Sequence, residues 1–411
     1  MIISPEILFN ILIAIVLLNF LKDSILNYLN SSYFDKEIPE LINDIYDNEK
    51  YIKSQEYKKT QYKFNRISSI FSLLILLLFF YFDGFLIIDN YSRSLFDSEL
   101  LISLSFFGII YFGNELLNIP FSIYHTFTIE EKFGFNKTTK KTYIIDKLKS
   151  WLLTILFGGG ILSFIILQFE SVGQNFWIVA WVFISVLTIL LNGLYAQIIV
   201  PLFNKQTKLE EGELKNEIEK YSKKVGFKLS NIFVIDGSKR STKANAYFSG
   251  FGKQKRVTLY DTLINKLNKN QIVAVIAHEI GHYKKNHIIF NLLFSIIQTG
   301  MMLYILSLLI YMPIFSESLN IENHSFHIAL ITFSILYSPI SELSSLMFNL
   351  FSRKFEYEAD EYANTSFDGN HLIEALKILS KDSLSNLTPH PKYVWWHYSH
   401  PTLIERINQL R

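Results

Sequence analysis

His278 and His282 stand four positions apart with Glu279 between them, and their types and spacing speak directly of chemistry. Residues four apart share one face of an α-helix, so both imidazoles can bind one zinc ion while Glu279 faces the remaining, water-bearing position. That is the arrangement of zinc-dependent peptide hydrolysis. The run Gln271 to Tyr283 carries Ile272, Val273, Val275 and Ile276, which favour a buried helix over a surface helix with two idle histidines. A chance His-Glu-x-x-His is expected on the order of once in a hundred such chains.

The 411 residues include no cysteine, which excludes disulfides, thiolate zinc ligands and cysteine nucleophiles. The expected cofactor, one Zn2+ per chain, must be held by histidines and carboxylates. A catalytic zinc needs a third protein ligand and an open position. Glu356 and Asp360, also four apart, follow the last long apolar stretch, so one helix face can present Glu356 to the metal and Asp360 to the outer nitrogen of a ligand histidine. Glu358 points elsewhere on that helix and reads as solvated. Alone, the segment reads as a charged surface helix; beside the histidine pair it reads as ligand-bearing.

These groups belong to a chain that is 50% apolar and 18% charged, against about 25% charged in ordinary soluble proteins, with 36 Phe and 23 Tyr. That balance points to a bilayer. A net charge of +2 with no long block of like charge gives no sign of a nucleic-acid partner. About twenty apolar residues cross the hydrocarbon core as a helix. Seven stretches qualify: Pro5 to Leu21, Ile67 to Ile88, Leu100 to Tyr124, Leu148 to Phe169, Phe176 to Val200, Ile288 to Tyr311 and Phe326 to Leu350. The first lacks a preceding basic region and a small-residue cleavage site, so it reads as a retained helix rather than a cleaved signal peptide.

Basic residues crowd the first connection (Lys50, Lys53, Lys58, Lys59, Lys63, Arg66), the third (Lys132, Lys137, Lys140, Lys141, Lys147, Lys149) and the fifth, and nearly vanish from the others. The positive-inside rule then puts the N-terminus outside and the long fifth connection and the tail in the cytoplasm. The expected organisation is a membrane region with five helices (1–200), a catalytic insert (201–287), two further membrane helices (288–350) and a tail supplying the third ligand (351–411). The insert reads as a helix from Glu210 to Val225, strands from Ile232 to Ile235 and Arg256 to Tyr260, an edge strand from Asn245 to Phe248, and a second helix from Lys269. The fold class expected is mainly α: a polytopic membrane protein with a small α+β zinc-metalloprotease domain. His125, His287 and His327 fall at or within spans; His287 reads as interfacial and the other two carry no assigned role. Glu115 and Glu342, also within spans, are expected to face an interior cavity.

Six ordered blocks carry a resemblance: Ile129-Glu130-Glu131-Lys132-Phe133-Gly134-Phe135-Asn136, Asp236 to Ser241, Asn245 to Gly252, His278 to His282, Ser352 to Asp360, and Ser399-His400-Pro401. Over nearly its whole length the chain resembles the type I CAAX prenyl protease family of integral-membrane zinc proteases. The resemblance implies a seven-helix membrane barrel around a large water-filled chamber, with the zinc site at its cytosolic end. It implies His278, His282 and Glu356 as ligands, Glu279 as general base and Asp360 as a partner of a ligand histidine. His400 and Arg406, in a tail rich in aromatics, look like the family's His and Arg near the metal. His400 could donate to a developing oxyanion, and Arg406 could orient a carboxylate or the substrate backbone. From the residues alone, either is equally a structural tail contact. Asn245, Ala246 and Tyr247, with Phe248, match the family's substrate-facing edge strand, the alternative being a plain hairpin strand.

The reaction expected is zinc-assisted hydrolysis of one peptide bond near a substrate's C-terminus, with Glu279 moving the proton and no covalent intermediate. The resemblance implies removal of the last three residues of a prenylated C-a-a-X protein. Expected partners are a peptide or protein C-terminus, prenylated or not, and membrane lipids. One rival is a membrane quality-control metalloprotease of the same superfamily. Another is a non-catalytic seven-helix lipid or isoprenoid carrier with a structural zinc, which has no use for Glu279. The Asn-, Ile- and Lys-rich composition hints at a bacterial cytoplasmic membrane, the endoplasmic reticulum being the place in a eukaryote, with the site facing the cytoplasm in both.

Overall fold

The computed structural model describes residues 3–227, 229, 231–249 and 256–411. Gly250, Phe251 and Gly252 of the third quoted block lie outside the described residues. Ser4 caps α1 (Pro5–Ser31), whose Pro5 occupies the first turn, where no helical donor is lost. Asp47 accepts from the Lys50 amide at 2.8 Å and starts α2 (Asn48–Tyr81). The basic residues Lys50 to Arg66 thus lie on the polar half of a helix whose other half is apolar. That helix stops short of the expected Ile88. Asp83 turns left-handed (φ 51°), and Gly84, whose missing Cβ leaves room for the Phe79 ring, opens α3 (Gly84–Leu95).

α4 (Glu99–Tyr124) continues through a π-helical turn, His125–Glu130. α5 (Lys140–Leu153) runs through a second π-turn into α6 (Gly160–Val172), and α7 (Phe176–Phe203) follows. At Gly173 (φ 59°) the chain doubles back, stacking Phe164 on Phe183 with ring centroids 4.0 Å apart. Among the described residues, six helical stretches are long and apolar enough to cross a membrane. One of them, Lys140–Phe203, is this hairpin, which brings the passes to seven. Only 6% of the most apolar window of that hairpin is buried, and 11% of that of α1. Helices that are apolar all round and so little covered by their neighbours suit a lipid surround rather than a soluble core.

The polar body opens with β1 (Gln206–Lys208), which the sequence reading did not include, and α8 (Glu213–Lys224). β2 (Asn231–Ile235), β3 (Ala246–Ser249) and β4 (Arg256–Tyr260) complete a sheet ordered β1-β2-β4-β3, in which β2 and β4 are parallel and the other pairs antiparallel. α9 (Asp261–Ile264) and α10 (Lys269–Lys284) lead to α11 (His287–Leu309) and α12 (Ile314–Glu317). α13 (Phe326–Ser366) is one helix of 41 residues, so the last span and the Glu356 to Asp360 segment share a rigid rod. α14 (Gly369–Asp382), α15 (Pro391–His397) and α16 (Leu403–Leu410) close the chain.

Ile272, Ile276 and Ile280 of α10 share one core with Val257 and Leu259 of β4, Ile218 of α8, Leu372 of α14 and Ile407 of α16. Tyr57, Phe133 and Phe135, from the first and third connections, join the same core. Two of the quoted blocks meet in the Asn136–Ser241 bridge, where Lys137 donates to the Arg240 carbonyl at 3.0 Å. The Arg240 guanidinium is bidentate on Asp146 (2.7 and 2.9 Å), which ties these connections to the foot of α5.

Candidate active site

α10 begins with a capping box: Asn268 accepts from the Gln271 amide and Gln271 from the Asn268 amide, each at 3.0 Å. Its apolar residues bury it between the sheet and α13. Gly281 sets the closeness of that packing. A Cβ there would lie 3.0 Å from Ala359 Cα and 3.1 Å from Ala359 O, so the missing side chain lets α10 and α13 touch backbone to backbone.

At that crossing, His278, His282 and Glu356 each offer one ligand atom, all within 4.8 Å of one another. His282 Nε2 is 3.2 Å from Glu356 Oε1, His278 Nε2 is 3.5 Å from Glu356 Oε2, and the two Nε2 atoms are 3.1 Å apart. Among the described residues, buried Glu356 Oε2 has no hydrogen-bond partner. Two converging imidazole nitrogens and an orphaned carboxylate oxygen are a donor set that could hold a metal ion, and zinc takes these ligand types. Burial alone would lower His278, yet the carboxylates of Asp360 and Glu356 beside it push it up to about 9, the mark of a pocket that favours positive charge. Half-buried Glu279 stands beside the pair on α10, and burial pushes its carboxyl above the usual range against the pull of His278 and His282.

Asp360 lies where the i+4 spacing put it: Oδ1 is 2.8 Å from His278 Nδ1. Arg406 clamps the same carboxylate through Nε (2.8 Å) and Nη2 (2.6 Å), and its Nη1 is 3.5 Å from Glu356 Oε2. Of the two roles open to Arg406, the geometry matches orientation of a carboxylate. His400, its side chain exposed, brings Nε2 to 3.3 Å from Glu356 Oε1 and sets Nδ1 3.0 Å from Ser399 Oγ. The tail is held in register by Arg353, which donates to the Tyr398 carbonyl at 2.5 Å, and by Asn349, which donates to the Trp396 carbonyl at 3.0 Å.

Two residues have partners that the sequence did not reveal. His287, at the start of α11, is buried, and Glu358, partly exposed, is paired with it: His287 Nε2 lies 3.0 Å from Glu358 Oε2 and His287 Nδ1 lies 3.0 Å from His282 Nδ1. A third histidine five residues beyond His282 was the available signal, and its meaning depended on a turn that sequence periodicity does not describe.

β3 lies at the sheet edge and packs on α10 through Phe248 and Tyr283, ring centroids 5.4 Å apart. Asn245 shapes its entry, its side chain accepting from the Ala246 amide at 2.8 Å and its carbonyl from Tyr260 at 3.1 Å; Ala246 and Tyr247 follow within the strand. Glu342 lines a cavity of about 590 Å³, paired with Lys22 and accepting from Trp396 Nε1 at 3.0 Å. Glu115 accepts from Lys147 (2.9 Å) and Trp151 (2.8 Å). His327 is buried between Ser103 and Asp89, and the His125 ring lies tilted against Phe64, centroids 5.5 Å apart.

Residues 28–205 match the family described as CAAX prenyl protease N-terminal, five membrane helices, and residues 208–411 match peptidase family M48. The CAAX prenyl protease 1 homolog of Dictyostelium discoideum is 37% identical over 96% of this chain and 92% of its own length. CAAX prenyl protease 1 of Saccharomyces cerevisiae is 36% identical over 93% of this chain and 91% of its own length. The chain belongs to the CAAX prenyl protease 1 family. The human homolog of this family is 31% identical over 91% of the chain and 88% of its own length. The crystal structure of S. mikatae Ste24p superposes with a TM-score of 0.93 at 35% identity, covering 98% of this chain and 99% of that one. As a member of the CAAX prenyl protease 1 family and of peptidase family M48, the protein is a multi-pass membrane metalloendopeptidase, and the non-catalytic carrier is set aside.

Proposed function

We propose that the protein removes a C-terminal tripeptide from prenylated substrates, using one zinc ion held by His278, His282 and Glu356. The convergence of these three residues beside Glu279 carries the reading. Zinc at this position supplies a Lewis acid that polarises the scissile carbonyl and lowers the pKa of a water. Glu279 accepts the proton of the attacking water and delivers it to the leaving amine. His400, exposed at the rim, donates a hydrogen bond to the oxygen on which negative charge develops. Asp360, held by Arg406, keeps the proton of His278 on Nδ1 and leaves Nε2 to face the metal.

The substrate enters as an extended strand beside β3, pairing with its free edge along Asn245, Ala246 and Tyr247. The prenylated substrate is supported by the names of the relatives, CAAX prenyl protease 1, together with an apolar wall that lets a lipid-modified end approach within the membrane. Charge alternation supports placing the site on the cytoplasmic face, of the endoplasmic reticulum in a eukaryotic cell and of the cytoplasmic membrane in a bacterium.

Purified wild-type and Glu279→Gln proteins incubated with farnesylated and unfarnesylated C-a-a-X peptides test the reading, with products identified by mass. Release of the tripeptide from the farnesylated peptide by the wild type alone is expected. Equal cleavage of both peptides assigns the protein to quality control, and cleavage of neither overturns the proposal.

A further inference from the structure

His278 and His282 face the same point, yet their outer nitrogens have different partners. His278 Nδ1 is held by Asp360, which Arg406 clamps. Among the described residues, His282 Nδ1 has no carboxylate of its own; at 3.0 Å it meets Nδ1 of a third histidine, His287, whose Nε2 is 3.0 Å from Glu358 Oε2. His287 is buried, and its ring lies flat on Phe355, centroids 4.1 Å apart and 13° between planes. Its position follows from the turn between α10 and α11, where Asn286 takes a left-handed conformation (φ 60°), one that asparagine tolerates better than most residues.

The hydrogen-bond roles along this row follow from its end. A carboxylate only accepts, so Glu358 takes the proton of His287 Nε2. A neutral imidazole with hydrogen on Nε2 has a bare lone pair on Nδ1, which can only accept from His282. His282 is therefore protonated on Nδ1, and its Nε2 lone pair points at His278 and Glu356. Reversing any one bond would place a hydrogen on His282 Nε2, where a metal would have to bind.

We propose that His287, anchored by Glu358 and stacked on Phe355, is a positioning residue that fixes the tautomer and orientation of His282 and so completes the metal site. The two ligand histidines are then oriented by separate arms, Arg406–Asp360 for His278 and Glu358–His287 for His282. This rests on the reading of His278, His282 and Glu356 as zinc ligands. Both arms are carried by α13 or the tail, so the helix that provides Glu356 also orients a ligand on α10 through α11.

The test is zinc affinity of the full-length chain in detergent, by competition with a chromophoric chelator, for wild type, His287→Phe, Glu358→Ala, Glu358→Gln and His278→Ala. His287→Phe keeps a ring on Phe355 and removes both hydrogen bonds. Removing a partner of this kind costs about 10–100-fold in metal affinity, and that loss is expected for His287→Phe and Glu358→Ala. Glu358→Gln, which retains an accepting oxygen, should recover part of it. The cobalt-substituted proteins should show shifted ligand-field bands in the same order, while unfolding of the metal-free proteins stays close to wild type. A purely packing role would instead lower metal-free stability and leave zinc affinity alone. Affinities within twofold of wild type for both His287→Phe and Glu358→Ala overturn the proposal; should His287→Phe fail to fold, Glu358→Ala, at a side chain 31% exposed, decides by the same number. His278→Ala separates the two readings: if it binds zinc as tightly as wild type, the metal site lies elsewhere and both fall.

Discussion

Gly281 lies against Ala359 so closely that a Cβ on the glycine would be 3.0 Å from the alanine Cα and 3.1 Å from its carbonyl oxygen. Both are backbone atoms of a long helix and have little freedom to move. The contact sits one residue before His282 and three after Glu356, so it sets the depth at which α10 and α13 meet and with it the distance from the imidazoles to the carboxylate. Gly281→Ala should therefore destabilise the fold by about 1–3 kcal/mol, the usual cost of overpacking, and weaken zinc binding as well. Thermal unfolding and chelator competition measure the two effects; an alanine variant equal to wild type in both would mean that the helices can part without harm.

Glu279→Gln preserves shape and removes the proton acceptor. Zinc content should remain at the wild-type level while kcat falls at least ~100-fold, the scale of a lost general base. Near-normal turnover at full zinc occupancy would sink the assigned role.

The carboxylates of α13 should separate by degree. Glu356→Ala removes a proposed ligand and should abolish stoichiometric zinc binding, whereas Glu358→Ala should only weaken it. Reading Glu358 as solvated would leave its variant unchanged, and the contact through His287 replaces that expectation with a graded loss. Metal analysis after dialysis against weak chelator ranks the variants, and Glu358 proving the more damaging would reverse the assignment.

Arg406→Ala leaves Asp360, fully buried, without its bidentate partner. Breaking a buried pair from one side costs about 3–5 kcal/mol. Arg406→Lys keeps the charge but not the fork, so it should recover only part of the loss. Denaturant unfolding of the two variants compares them, and a stability unchanged in both would show that the clamp carries no load.

The topology can be tested in intact cells because the chain has no cysteine of its own. Single cysteines at the exposed positions Glu49, Ser98, Lys137, Glu317 and Thr365 suit a membrane-impermeant thiol reagent, whereas Ser54 and Asn136 are buried and do not. Ser98 and Glu317 should label from outside and the other three only after permeabilisation. Labelling of Lys137 or Thr365 in intact cells would overturn the cytoplasmic placement of catalysis.

What the sequence determined by itself was whatever depends on near neighbours. Twenty apolar residues announce a span, and four-residue spacing puts His278 with His282 and Glu356 with Asp360 on shared helix faces. The boundaries read less well. The break at Asp83 and Gly84 lay inside a stretch read as one span although Asp-Gly is itself a turn signal, and the last span and the Glu356 to Asp360 segment proved to be one helix that runs through Pro339 to Ser366. Only the tertiary structure decided which distant groups meet. Asp360 finds His278, Arg406 finds Asp360, and Glu358 reaches His282 only by way of His287. Periodicity says which face of a helix a residue occupies. Which face it meets depends on the depth and angle at which two helices pack, and here that depth is set by an absent side chain at Gly281 against the backbone of Ala359.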